Sequence, residues 1–118
     1  MIEIANDRDL REFLRRRQAA LFFHATWSQY AVISKLMIEF VESKSIMGKR
    51  DIGFFWGEFE GDRVPLAKTV VALGVPDEAF LGNGSLSFFR QGEHVQTMRS
   101  VIGEGAWAVW KNIDTWFG

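Results

Sequence analysis

With 118 residues the chain has the size of one folded domain, and 47% apolar with 25% charged residues excludes intrinsic disorder. Fourteen basic against fifteen acidic side chains give a net charge of -1, which excludes a binder driven by counterion release from nucleic acid. Cysteine is absent, so disulfides, thiolate metal ligands, cysteine nucleophiles and dithiol redox chemistry are excluded within this chain.

Ile2 and Ile4 alternate with Glu3, the period of a half-buried strand. Asn6 is a suitable cap for a following helix, with Asp9 in its first turn. Leu10, Phe13 and Leu14 recur at helical spacing, and basic residues close that helix near Arg17. Residues 20–25 are apolar almost throughout, as a central strand covered on both faces requires. Thr26-Trp27-Ser28-Gln29 is a break. Ile33, Leu36, Met37, Phe40 and Val41 then follow the i, i+3, i+4, i+7, i+8 rule, which predicts a long helix with these residues as its core face. Met47-Gly48-Lys49-Arg50 reads as a loop, and residues 52–59 as an aromatic strand weakened by two glycines.

Gly61-Asp62 is a turn, and Pro65 suits the first turn of a helix carrying Leu66, Val70 and Leu73. Gly74 and Pro76 stop it. Gly82-Asn83-Gly84 is a loop, followed by a strand at 85–90, a Gln91-Gly92 turn and a returning strand at 94–98. Beyond the break at Gly103 to Gly105, Ala106, Trp110, Ile113 and Phe117 line one face of a closing helix. The order is β-α-β-α-β-α-β-β-α. Parallel strands with right-handed crossovers and an antiparallel edge hairpin predict an α/β sandwich with helices on both faces of a mixed sheet, residues 1–118 forming one domain. Residues 1–8 lack the blocks of a secretory signal, and no apolar run approaches the ~20 residues that span a bilayer. A cytoplasmic protein is expected.

This order resembles that of the thioredoxin family, and two segments carry the likeness. Phe23-His24-Ala25-Thr26-Trp27-Ser28-Gln29-Tyr30-Ala31 resembles the family's Phe-Trp-Ala-x-Trp-Cys-Gly-Pro-Cys, between a buried strand and a long helix. Ser85-Leu86-Ser87-Phe88-Phe89-Arg90-Gln91-Gly92-Glu93 resembles its later strand and turn, Thr-Leu-Leu-Leu-Phe-Lys-Asn-Gly-Glu. The resemblance implies a thioredoxin-like three-layer α/β/α fold. It also marks departures. Ser28 and Ala31 stand at the two cysteine positions, and Phe22 stands where the family has a buried Asp that moves protons. Gly84 matches the family's cis-proline; alternatively Gly74-Val75-Pro76 matches its Gly-Ile-Pro, with residues 77–84 as an insertion. Nucleophile, resolving thiol and proton shuttle are missing together, which implies a redox-inactive member.

Other residues offer little chemistry. Ser28 at a helix start is ordinarily a cap, and no Gly-x-Ser-x-Gly elbow surrounds it. His24 and His94 are the only histidines, without metal-ligand spacing around them, so neither metal nor cofactor is expected. Arg8, Arg11 and Arg15 to Arg17 form a basic stripe on the first helix, either a solvated face or a dock for an acidic protein. Trp27, Tyr30 and Trp107 are candidates for exposed aromatic anchors.

The class implied is a protein-binding adaptor or assembly (chaperone-type) module. Its surface would be the degenerate redox site: Trp27, Ser28, Gln29, Tyr30, Ala31 and Gly84. The partner would be another protein or peptide, a homo-oligomer being compatible, with neither nucleic acid nor membrane. The alternative is an enzyme resembling glutathione transferases, with Ser28 or Tyr30 as activating hydroxyl.

Overall fold

A computed structural model describes residues 1–47 and 50–117 of the chain. Its elements are β1 (Ile2–Glu3), α1 (Asp7–Arg15), β2 (Gln18–Phe23), α2 (Gln29–Met47), β3 (Gly53–Gly57), α3 (Val64–Ala72), β4 (Leu86–Arg90), β5 (Glu93–Met98), α4 (Val101–Glu104) and α5 (Ala106–Phe117). Short 3-10 turns at Gly61–Arg63 and Asp77–Phe80 flank α3. Of the expected loop Met47-Gly48-Lys49-Arg50, Met47 ends α2, and Gly48 and Lys49 lie outside the described residues.

β2 is apolar beyond Gln18 because it is the middle strand of five, in the order β1-β3-β2-β4-β5. β3 runs parallel to both β1 and β2, while β4 is antiparallel to β2 and β5 antiparallel to β4. Side chains of a strand alternate between faces. Ala20 and Phe22 join Phe54, Leu86 and Phe88 in a core closed by Ile38 and Val41 of α2 and Val109, Ile113 and Phe117 of α5. Ala19, Leu21 and Phe23 join Phe55 and Phe89 on the opposite face, closed by Leu10 and Phe13 of α1 and Leu66 and Val70 of α3. The sheet is therefore mixed, with helices on both sides, as the element order predicts.

Four local expectations need correction. Gly103 lies inside the short helix α4, capped by the Ser100 hydroxyl on its N–H, so the expected break is confined to Gly105 and the chain closes on two helices in place of one. α1 ends at Arg15, two residues early, because Arg16 is already extended. In α5 the buried set is Val109, Ile113 and Phe117, with Ala106 and Trp110 only half-buried. The largest difference is in α2. Ile33, Leu36 and Phe40, expected in the core, face outward, and Met37 is half-buried. The buried face is Ala31, Ser34, Ile38, Val41 and Ser45. Small side chains win there because the inner face meets backbone: Ser34 takes the Ile102 N–H at 3.1 Å and lies against Gly84. A leucine could not occupy that place.

Candidate functional site

The loop after β2 and the start of α2 are held by a few polar contacts. Ser28 is buried, and its Oγ accepts the Ala31 N–H at 3.4 Å, the contact of a helix cap. The same hydroxyl donates to the Gly82 carbonyl at 2.6 Å, which latches the start of α2 to the loop before β4. That commits the only proton of Ser28, and no imidazole is bonded to it among the described residues.

Gly84 closes the space beside this latch. Its φ is +72°, and a Cβ there would collide with the Ser34 side chain and lie 3.1 Å from the Tyr30 carbonyl. The Gly84 carbonyl accepts the Val101 N–H at 2.9 Å. Gly84 thus meets the first turns of α2, whereas Pro76 opens the 3-10 turn at Asp77–Phe80. Of the two alternatives for the family's proline, Gly84 is the one beside the helix start.

Trp27 is 63% exposed, yet it is fixed. Its Nε1 donates to Glu60 at 2.7 Å, and its ring crosses Gly82 so closely that a Cβ there would collide with it. Glu58 holds the preceding residue, accepting the Thr26 N–H at 3.0 Å and the Thr26 hydroxyl at 3.1 Å. Tyr30 is 65% exposed and Gln29 is exposed. Of the six candidate residues, Trp27, Gln29 and Tyr30 face outward, whereas Ser28, Ala31 and Gly84 are buried beneath them. Leu81, next to Gly82 in sequence, adds an exposed apolar side chain. Sequence reasoning missed Leu81, Glu58 and Glu60. Leu81 follows Phe80 and reads as core, and no spacing rule links Glu58 and Glu60 to a loop thirty residues earlier.

Phe22 is fully buried in the core, so the place of the family's acid is filled with hydrocarbon. His24 packs edge-on to Trp56, and its Nδ1 is buried with no hydrogen-bond partner. Burial lowers its pKa first and nearby Lys35 lowers it further, against a smaller opposing effect of Glu58, so the imidazole favours its neutral form. His94 is also lowered by burial and shares a 2.7 Å hydrogen bond with Thr97. Among the described residues no three His, Asp or Glu side chains converge as a metal site would require, and no helix is long and apolar enough to cross a membrane.

The other surface candidates are separate. Arg8, Arg11 and Arg15 are exposed on α1, where Arg15 pairs with Glu12 at 2.9 Å. Arg16 leaves the stripe and sits 5.7 Å from the centre of the Phe55 ring. Trp107 is exposed beside Lys111 at the rim of an open groove on α5 of about 500 Å³.

No protein-family model and no curated protein matches this sequence. Solved structures do match. Thioredoxin of Malassezia sympodialis superposes with a TM-score of 0.71 at 16% identity, covering 98% of this chain and 90% of the other. A mutant thioredoxin from Halobacterium salinarum gives 0.72 at 17%, with coverages of 98% and 88%. Oxidised mitochondrial thioredoxin 3 of Saccharomyces cerevisiae gives 0.70 at 12%, with coverages of 98% and 94%. Identities this low establish the fold alone. Together with the strand order and the serine and alanine at the start of α2, they show that the chain has a thioredoxin-like fold lacking the Cys-x-x-Cys pair.

Proposed function

We propose that the chain is a non-catalytic, cytoplasmic protein-binding module, of adaptor or assembly type, that grips a partner with Trp27, Gln29, Tyr30 and Leu81. The observation that carries this reading is Trp27: a large aromatic side chain kept in solvent yet immobilised by Glu60 and Gly82. A binding anchor gains from such fixing, because rotamer freedom lost in advance is not lost again on association. Ser28, Ala31 and Gly84 serve as the packed floor that holds the anchors in register.

A transferase-like use of Ser28 has no such support, since its hydroxyl is spent on the Gly82 carbonyl. Affinity capture from native lysate, followed by titration of the captured partner, tests the proposal. Truncating a central aromatic anchor commonly costs ~2 kcal/mol or more. Trp27→Ala should therefore weaken binding about thirtyfold. Normal binding by Trp27→Ala, with loss of binding by the double variant Arg11→Glu, Arg15→Glu, would move the function to α1 and refute this assignment.

A further inference from the structure

The histidine between β2 and the anchor loop is incompletely satisfied. Phe22 pairs with Trp56 and Phe23 with Gly57 in parallel register, and the His24 N–H continues the ladder to the Gly57 carbonyl at 2.9 Å. The next pair in that register is His24 and Glu58. Adjacent strands lie about 4.8 Å apart, so the two residues are neighbours at the end of the sheet. Two basic side chains share the ring of Trp56. His24 meets it edge-on with ring centres 5.6 Å apart, and the Lys35 ammonium lies 4.0 Å from its centre. His24 Nδ1 is buried with no hydrogen-bond partner. A neutral imidazole tolerates this. A protonated one carries N–H on both nitrogens, and a buried charged donor without an acceptor is costly.

The titratable and charged groups facing His24 are Lys35 from α2, and Glu58 and Glu60 from the segment after β3. Its neighbours within the sheet, Phe22 and Trp56, carry no charge. Lys35 repels an imidazolium, and Glu60 is bonded to the Trp27 Nε1. Glu58 is left as the acceptor. Its Oε2 takes both the Thr26 N–H and the Thr26 hydroxyl, and neither of its oxygens reaches Nδ1 in this arrangement. To accept from His24 the carboxylate must swing, and the swing takes it off Thr26. Burial first and Lys35 second hold the imidazole pKa below its ordinary 6.5, against the raising effect of Glu58, so His24 protonates only below that pH. We infer that protonation of His24 draws Glu58 off Thr26 and unfastens the loop that carries Trp27, so that mild acid loosens the anchor surface. The fastened loop goes with neutral His24 and binds fewer protons, which gives the direction of the change. Its bearing on partner binding rests on the anchor reading; the movement itself does not.

Heteronuclear NMR of the free, full chain from about pH 7.5 to about pH 5 tests this, in a range where carboxylates stay ionised. The Thr26 amide and the Trp27 indole N–H should titrate with the midpoint of the His24 imidazole. The hydrogen-exchange protection factor of the Thr26 amide should fall about tenfold or more across it. Glu58→Gln keeps an amide oxygen for Thr26 but offers no charge to His24. In that variant the imidazole midpoint should fall and the Thr26 amide should keep its protection. Lys35→Met should raise the midpoints of imidazole and loop together. His24→Gln should abolish the transition and His94→Gln should leave it intact, with circular dichroism confirming that each variant is folded. A Thr26 amide that ignores the His24 titration overturns the inference. So does loss of its protection in Glu58→Gln or His24→Gln, or a Trp27 indole unmoved while Thr26 is released. The measurement uses no partner, so a negative result leaves the anchor reading standing, and normal binding by Trp27→Ala leaves this transition standing.

Discussion

Replacing Gly84 by alanine adds one carbon where three segments converge. The residue is held at φ +72°, a region that costs an L-residue with a Cβ about 1 kcal/mol or more. The new methyl also collides with the Ser34 side chain and comes within 3.1 Å of the Tyr30 carbonyl. Overpacking of this kind costs about 1–3 kcal/mol. Displacing Ser34 further strains its bond from the Ile102 N–H, worth about 1 kcal/mol. The expected loss is about 3–5 kcal/mol, a large fraction of the stability of a domain this size. Urea denaturation followed by tryptophan fluorescence and circular dichroism measures it. Ser34→Gly alone should cost about 2 kcal/mol, for the lost hydrogen bond and a helical glycine. With the collision relieved, the double variant should be less destabilised than the sum of the two singles by about 1 kcal/mol or more. The reasoning fails if Gly84→Ala unfolds within about 0.5 kcal/mol of wild type, or if the two substitutions simply add.

Ser28→Ala should cost about 1–3 kcal/mol in the same denaturation assay, because it removes the cap of α2 and leaves the buried Gly82 carbonyl without its donor. In an insulin-reduction assay with dithiothreitol the wild type should not exceed the reagent blank. Placing cysteines at Ser28 and Ala31 should give at most slow exchange, since both positions are buried and Phe22 offers no acid; thioredoxin-like turnover would contradict this. Stability should fall on acidification through pH 6.5, because both histidines have folded pKa values below that unfolded value and the unfolded chain then binds more protons. The loss should level off below the folded values, and His24→Leu should flatten the dependence of the urea midpoint above about pH 5, where carboxylates stay ionised.

The parts of the fold that the sequence announces are those where local pattern and tertiary demand coincide. The continuous apolar run of β2, Asn6 capping α1 and the Gln91-Gly92 hairpin are of this kind. α2 is different, because periodicity reports an apolar face without saying where it points. Two faces of that helix satisfy the rule, and the larger one lost the sheet to Ala31, Ser34 and Ser45, whose advantage is their smallness. The exposure pattern of the candidate site is legible to a similar degree. The positions of Trp27 and Tyr30 could be assigned from the motif. Burial of Ala31 and Gly84 depends on a loop more than fifty residues along the chain, and the Glu58 and Glu60 clamps depend on a hydrogen-bond geometry without a sequence signature.

The loop before β4 carries one more consequence for the proposed surface. The Gly82 carbonyl is bonded to the Ser28 hydroxyl, that of Gly84 to the Val101 N–H, and that of Ser85 to the Phe23 N–H. These three carbonyls tie the loop to the start of α2, to α4 and to β2, so the loop keeps its place when a visitor docks. In the proposed role, discrimination would then rest on how well a visitor's side chains match the shape and polarity of a preset surface.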